Sequence, residues 1–133
     1  MKKLILTALS VLILSGCASN EQQQEIEMLA DYRASILASS LPLEMGPLTL
    51  IQVKEKQGVV EMIFLDSGNG EISTNQIIEQ SITTYCSNQE IRPVLKKGVA
   101  YRYLIRNSRG QKQNDIFVNE QSCLDREKMN EEK

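Results

Sequence analysis

Leu14-Ser15-Gly16-Cys17, directly behind a short apolar run, constrains this chain more than any other stretch. It reads as a bacterial lipoprotein processing site. Lys2 and Lys3 give the positive start of a signal peptide, residues 1–16, and Leu4 to Leu14 form its apolar core. That core is too short to span a bilayer as a mature helix. Ser15 and Gly16 are small enough for the backbone to enter a peptidase site. Cys17 supplies the thiol that carries a diacylglycerol and, after cleavage, becomes the first mature residue. The bland alternative is an ordinary secretory signal with a chance cysteine. What remains to fold is residues 17–133, held on a membrane surface rather than across it. Bacterial lipoproteins usually carry three acyl chains such as palmitate. At about 0.8 kcal/mol per buried methylene, that anchoring is effectively permanent.

The same cysteine sets the redox arithmetic. The chain has three cysteines, and spending Cys17 on lipid leaves Cys86 and Cys123. An even remainder in an oxidising periplasm favours one disulfide, the alternative being two free thiols. Such a bridge contributes about 3–4 kcal/mol in the chain-entropy model. Ala18 follows the lipidated residue. Aspartate at that position retains lipoproteins at the inner membrane in enteric-type bacteria. By resemblance to that rule, Ala18 favours delivery by the lipoprotein sorting machinery to outer-membrane lipid, on the periplasmic face.

Charge narrows the partners. Without Lys2 and Lys3 the mature chain has 13 basic and 17 acidic residues, a net charge of −4. Nucleic acid wants clustered positive charge, so it is excluded. With no Trp and two Phe, aliphatic residues must fill a modest core.

Periodic patterns mark out the elements of the mature chain. Ala18 to Glu25 is polar and Gln-rich, so residues 17–25 read as a lipidated tether. A helix follows from about Gln24 to Ser40, its apolar stripe interrupted only by Arg33, and Pro42 and Pro47 end it. Leu48 to Lys56 and Val59 to Leu65 read as a hairpin around Gln57-Gly58. In the first strand Leu48, Leu50 and Gln52 face one way, and Thr49, Ile51 and Val53 the other. Thr74 or Asn75 caps a middle helix reaching Tyr85 or Cys86. Glu90 to Lys97 adds a turn or two, stopped by Gly98. Val99 to Asn107 alternates cleanly, Val99, Tyr101, Tyr103 and Ile105 against Ala100, Arg102, Leu104 and Arg106. Gln111 to Val118 returns as a second hairpin. Leu124 onward is charged and lacks a core pattern, so 125–133 reads as a flexible tail. The expected fold over 26–124 is α+β: a four-stranded antiparallel sheet of two hairpins, an N-terminal helix and a middle helix on one face, and one disulfide.

The chain lacks the groups that catalysis needs. It has no histidine, which removes Ser-His and Cys-His pairs and the commonest metal ligand. With the cysteines assigned, no zinc cluster remains, and the only prosthetic group expected is the lipid on Cys17. Gly68-Asn69-Gly70 lacks the spacing of a phosphate loop and reads as a turn. Glu61, Asp66, Glu71 and Glu79 show no pattern that pairs two of them in a pocket. The expected occupation is binding, not catalysis, with no small-molecule substrate.

Several segments together resemble the type II secretion pilotins of the AspS/GspS-beta kind. They are the lipobox, the helix ending in Ser40-Leu41-Pro42, the strand Leu48-Thr49-Leu50, Thr84-Tyr85-Cys86 ending a helix, Gly98-Val99-Ala100-Tyr101 opening a strand, and the final Cys123. The resemblance covers roughly Leu29 to Leu124. It implies a protein that binds the short C-terminal helix of a secretin subunit and carries it to the outer membrane for assembly. It also implies a disulfide between Cys86 and Cys123 and lipid on Cys17. Helix-in-groove recognition of this kind uses apolar anchors. Candidate groove residues are Ile36, Leu37 and Leu41 with Val99, Tyr101 and Tyr103, because the apolar surface exceeds what one small core needs. The alternative is that all six are core. Two other binding classes compete: a periplasmic inhibitor, for which two helices are too many, and a general envelope-assembly lipoprotein.

Overall fold

The computed structural model describes residues 17–133, with side chains from Asn20 onward; the signal peptide expected over 1–16 lies outside the described residues. Nine elements follow in order. They are α1 (Cys17–Ala38), β1 (Leu43–Met45), β2 (Leu48–Lys56), β3 (Val59–Asp66), α2 (Thr74–Ser87), α3 (Ile91–Lys97), β4 (Ala100–Asn107), β5 (Lys112–Val118) and α4 (Glu120–Glu131). The five strands form one sheet in the order β1-β2-β3-β4-β5.

The alternation in β4 sets the centre. Val99, Tyr101, Tyr103 and Ile105 are buried on one side, joined by Val60, Met62 and Phe64 of β3 and by Leu48 and Leu50 of β2. α1 lies over β2 and β3 on this side, whereas α2, α3 and α4 pack on one another and α4 reaches β5. Ile78, Ile82, Ile91 and Leu95 close the core from the second group. Both expected hairpins are present, β2 with β3 and β4 with β5.

The sheet is not the expected four-stranded antiparallel one. β3 and β4 pair in parallel. A tight turn reverses the chain, but the link from β3 to β4 holds two helices, and such a crossover returns the chain in its original direction. A three-residue strand, β1, also pairs with the start of β2, Met45 opposite Leu48. It is too short to leave a periodic signal. Within β2 the expected facing holds only to Leu50. The register with β3 shifts between Leu50 and Gln52, so Ile51 is an extra residue and Val53, not Gln52, turns to the core. A bulge resets the period-two pattern without any mark in composition.

Both ends are more ordered than expected. The tether expected over 17–25 forms the opening turns of α1. No Gly or Pro breaks it, and its Gln and Glu residues suit a helix. Gln23 donates to the Glu27 carboxylate at 2.9 Å, and Lys97 pairs with Glu25 at 2.8 Å. Ile26 then enters a niche between two glycines. A Cβ on Gly58 would stand 2.6 Å from its Cγ2, and one on Gly98 would stand 2.8 Å from its Cδ1. Gly58 and Gly98 also hold φ of 81° and 115°, a region that penalises any side chain.

The tail expected over 125–133 falls mostly within α4. Asn119 caps this helix reciprocally with Ser122. Arg92 grips its inner side, reaching Glu120 at 2.7 Å and Glu127 at 2.7 Å, and Arg126 reaches back to Glu79 at 2.6 Å. The disulfide between Cys86 and Cys123 joins the end of α2 to the start of α4, with Cα atoms 5.3 Å apart. A helix held by caps, ion pairs and a bridge needs no apolar stripe, which is why the sequence pattern does not reveal it. Among the described residues, no helix is long and apolar enough to cross a membrane.

Candidate functional site

α1 and α2 pack little on one another and meet instead through tyrosines of the sheet. From α1, Arg33 Nε donates to the Tyr101 hydroxyl at 3.1 Å. From α2, the Tyr85 ring tilts against Tyr101 at 4.7 Å and approaches Tyr103 at 6.1 Å, centroid to centroid. Ser81, also on α2, shares a hydrogen bond with the Tyr103 hydroxyl at 2.9 Å. Phe64 stacks on Tyr103 at 5.8 Å. The result is a seam on the helical side of the sheet, floored by Tyr101 and Tyr103.

Helical spacing supplies its walls. Leu29, Ile36 and Leu37 are three or four residues from Arg33 and therefore share its flank of α1. Tyr32, four before Ile36, continues that flank outward. Tyr32 and Ile36 are 64% and 41% exposed. Opposite them, Ile77, Ser81 and Tyr85 recur every four residues along α2, and all three are half-buried. The α2 wall starts from a sound cap: Ser73 and Gln76 satisfy each other's backbone N–H groups.

The six expected groove residues divide. Ile36 is exposed on the seam's α1 wall, and Leu37 and Leu41 are half-buried against the core. Val99 and Tyr101 are fully buried and Tyr103 nearly so, which corrects their expected place on an open groove. The helices cover the apolar stripe of β4, so these residues floor the seam from below instead of lining its mouth. Sequence reasoning missed the α2 wall, because Ile77 and Tyr85 share one apolar helical face with the buried Ile78 and Ile82. It also passed over Arg33, whose signal was visible: one cation interrupting an apolar helical stripe.

The seam suits binding. Burial pushes the Tyr85 hydroxyl up to about 12, reinforced by the neighbouring Tyr101, and burial likewise raises Tyr103 and Tyr101. All three are therefore neutral phenols near pH 7, poor nucleophiles and good apolar surfaces with one polar atom each. The carboxylates of β3 do not pair. Glu61 lies on the open face of the sheet with Lys54 and Arg102, whereas Asp66 is turned into the loop, accepting from the Gly68 N–H and from Thr74. Period two puts these positions on opposite faces. Among the described residues no cluster of acidic or Cys side chains could hold a metal ion. Two surface depressions lie away from the seam. One is lined by Glu79, Gln80, Thr83 and Thr84, and the other lies at the open-face end of the sheet by Gln57 and Phe117.

Comparison with known proteins gives this geometry a family. A family model described as "Type II secretion system (T2SS) pilotin, S protein" matches residues 22–123. A second, for the prokaryotic membrane lipoprotein lipid attachment site, matches residues 1–18. Among solved structures, the type II secretion system pilotin AspS from Vibrio cholerae is 37% identical, with a TM-score of 0.69 over 80% of this chain and 99% of that one. The pilotin EpsS from the Vibrio vulnificus type 2 secretion system is 33% identical, with a TM-score of 0.71 over 78% of this chain and 96% of that one. A putative secreted protein from Pseudomonas aeruginosa, 13% identical at a TM-score of 0.63 over 77% of this chain and 96% of that one, shares the fold. No curated protein sequence matches. The chain, a lipoprotein with one disulfide, belongs to the type II secretion system pilotin S-protein family.

Proposed function

We propose that this pilotin, anchored through lipid on Cys17 at the periplasmic face of the outer membrane, binds the C-terminal segment of a type II secretin and promotes its delivery and assembly there. The observation that carries the reading is the seam. Two helices of a pilotin-family domain stand apart over a tyrosine floor, with Tyr32 and Ile36 exposed along one wall. An amphipathic helix laid along them would bury those side chains and meet the half-buried Tyr85 ring on the facing wall. A segment that orders only on docking loses conformational entropy, so the walls must be apolar enough to offset it. Ala18 supports outer-membrane sorting, and the lipid supplies the transport.

Deletion of the gene tests the delivery step. Secretin multimers in outer-membrane fractions should fall, and the wild-type gene should restore them. The Cys17→Ser variant should fold and bind yet leave the secretin stranded away from the outer membrane. Multimers at normal level without the gene would sink the proposal. For the seam, Ile36→Asp should keep the melting transition and lose secretin binding.

A further inference from the structure

Arg33 is an unusual residue to find beside a core. The residue is half-buried at the seam, and its guanidinium carries five N–H donors and a permanent charge. Among the described residues its one hydrogen bond goes to a neutral acceptor, the Tyr101 hydroxyl at 3.1 Å, and no carboxylate pairs with it. The acids on its own helix are engaged elsewhere or exposed to solvent. Glu25 pairs with Lys97, Glu27 accepts from Gln23, and Glu21 and Asp31 are exposed.

Three other half-buried arginines differ. Arg92 holds Glu120 and Glu127 at 2.7 Å, Arg102 holds Asp115 at 2.7 Å, and Arg126 holds Glu79 at 2.6 Å. Arg106, also half-buried, has no acid, but it lies on the open face of the sheet and donates to the Gly110 carbonyl at 3.0 Å. A cation beside apolar walls without one carries an unreturned desolvation cost. Arg33 stands where α1 and α2 meet, and its positive charge reaches both Tyr101 and Tyr85.

Resting on the reading that the seam receives a secretin helix, we propose that Arg33 is a carboxylate anchor. The two terminal nitrogens of its guanidinium receive one Asp or Glu side chain set within the apolar face of the docked helix. Nε stays on Tyr101, which fixes the plane of the fork. Arg is suited to this because its fork matches a carboxylate in two parallel bonds, which a Lys point charge cannot reproduce. The seam would then select register as well as hydrophobicity. A helix sliding by one turn would leave both its own acid and Arg33 unpaired.

The test uses the processed full-length lipoprotein in detergent micelles. It is titrated with a fluorescent peptide spanning the C-terminal segment of the same organism's type II secretin. Companion peptides carry one Asp→Asn or Glu→Gln change each, and one carries an amidated C-terminus. One side-chain change should weaken binding about 10- to 100-fold, as expected for a charged hydrogen-bonded pair. Arg33→Gln should weaken the parent peptide equally and be indifferent to that same peptide change. Arg33→Lys should recover part of the loss, and salt should weaken the wild type more than Arg33→Gln. The peptide arms use unaltered protein, so they stand even if Arg33→Gln folds poorly. Wild-type binding that ignores every acid-to-amide change overturns the anchor and leaves the docking reading standing. Losses in Arg33→Gln and in the peptide change that simply add also overturn it. A loss confined to the amidated terminus assigns the carboxylate to the chain end and overturns the side-chain assignment. A wild type that binds no peptide overturns the docking reading and the anchor together.

Discussion

The two faces of the sheet solve the same problem in opposite ways. The helical face is dry: β4 turns Tyr101, Tyr103 and Ile105 into helices, and each buried phenol finds one partner. The open face is wet and neutralises itself. Lys54, Glu61, Arg102, Asp115 and Lys112 form a continuous run of ion pairs across four strands, with Phe117 exposed beside Arg102. On the open face these five charges answer one another, and Arg106, which has no acid, donates to the Gly110 carbonyl. On the helical face Arg33, half-buried, lacks an acid at the place where two helices stand apart. The asymmetry distinguishes a surface that is merely solvated from one that is incomplete.

Truncation should separate the faces most strongly. Tyr101 is fully buried, and Tyr101→Ala removes a ring from beneath Tyr85 together with the acceptor of Arg33. The expected loss is about 3–5 kcal/mol by urea unfolding. Phe117, 52% exposed on the open face, should cost within about 1 kcal/mol when changed to Ala. Similar losses at the two sites would break the comparison.

The next effect belongs to the bridge between α2 and α4. The loop it closes spans 37 residues of sequence separation. Replacing Cys86 and Cys123 together by Ala should cost about 2–4 kcal/mol. Hydrogen exchange should show α4 opening first, because its other ties are caps and ion pairs, whereas the open-face strands keep their protection. Uniform loss of protection would mean that α4 is as integral as the sheet. Smaller again is the niche that seats α1. Gly58→Ala should cost about 1–2 kcal/mol from backbone strain alone, with a further steric part against Ile26. Combining it with Ile26→Ala should recover the steric part and not the strain, as a double-mutant cycle would read.

These ranks follow how the sequence disclosed itself. β4 was legible because alternating Val99 to Arg106 has no competing period, and the two hairpins because Gln57-Gly58 and Ser108-Arg109-Gly110 punctuate apolar runs. The parallel pairing of β3 with β4 was not legible, because strand patterns carry no direction, although two helical segments between them held the clue. The bulge at Ile51 was hidden because a β-branched residue fits either side of a strand. α4 was hidden because its order comes from Arg92, Arg126 and Cys123, contacts distant in sequence. The candidate site was half legible. β4 announced the tyrosine floor, but whether a stripe is floor or mouth depends on which helices cover it. Ile77, Ser81 and Tyr85 became a wall only once α1 and α2 were seen apart.

The smallest expected effect comes from pH and tests the self-neutralising face directly. The hydrogen bond from Arg102 holds the Asp115 carboxyl down to about 2, with Lys112 adding to it. A depressed folded pKa means that the pair stabilises the fold above the carboxylate's ordinary value, near 3.8, and that this contribution fades as pH falls from there through about 2. On the helical side, Arg92 likewise holds Glu120 below the usual range, so acid weakens both places. The two are separable by substitution. Asp115→Asn should flatten part of the decline in urea midpoint between pH 5 and pH 2, and Glu120→Gln another part. The Asp115 share should shrink in high salt, because water and ions reach the open face freely. The Glu120 share should persist better, since Arg92 lies against α4 with its side chain 14% exposed. If salt erased both shares alike, the helical side would be no drier than the open one, and the case for an incomplete, desolvated seam at Arg33 would weaken with it.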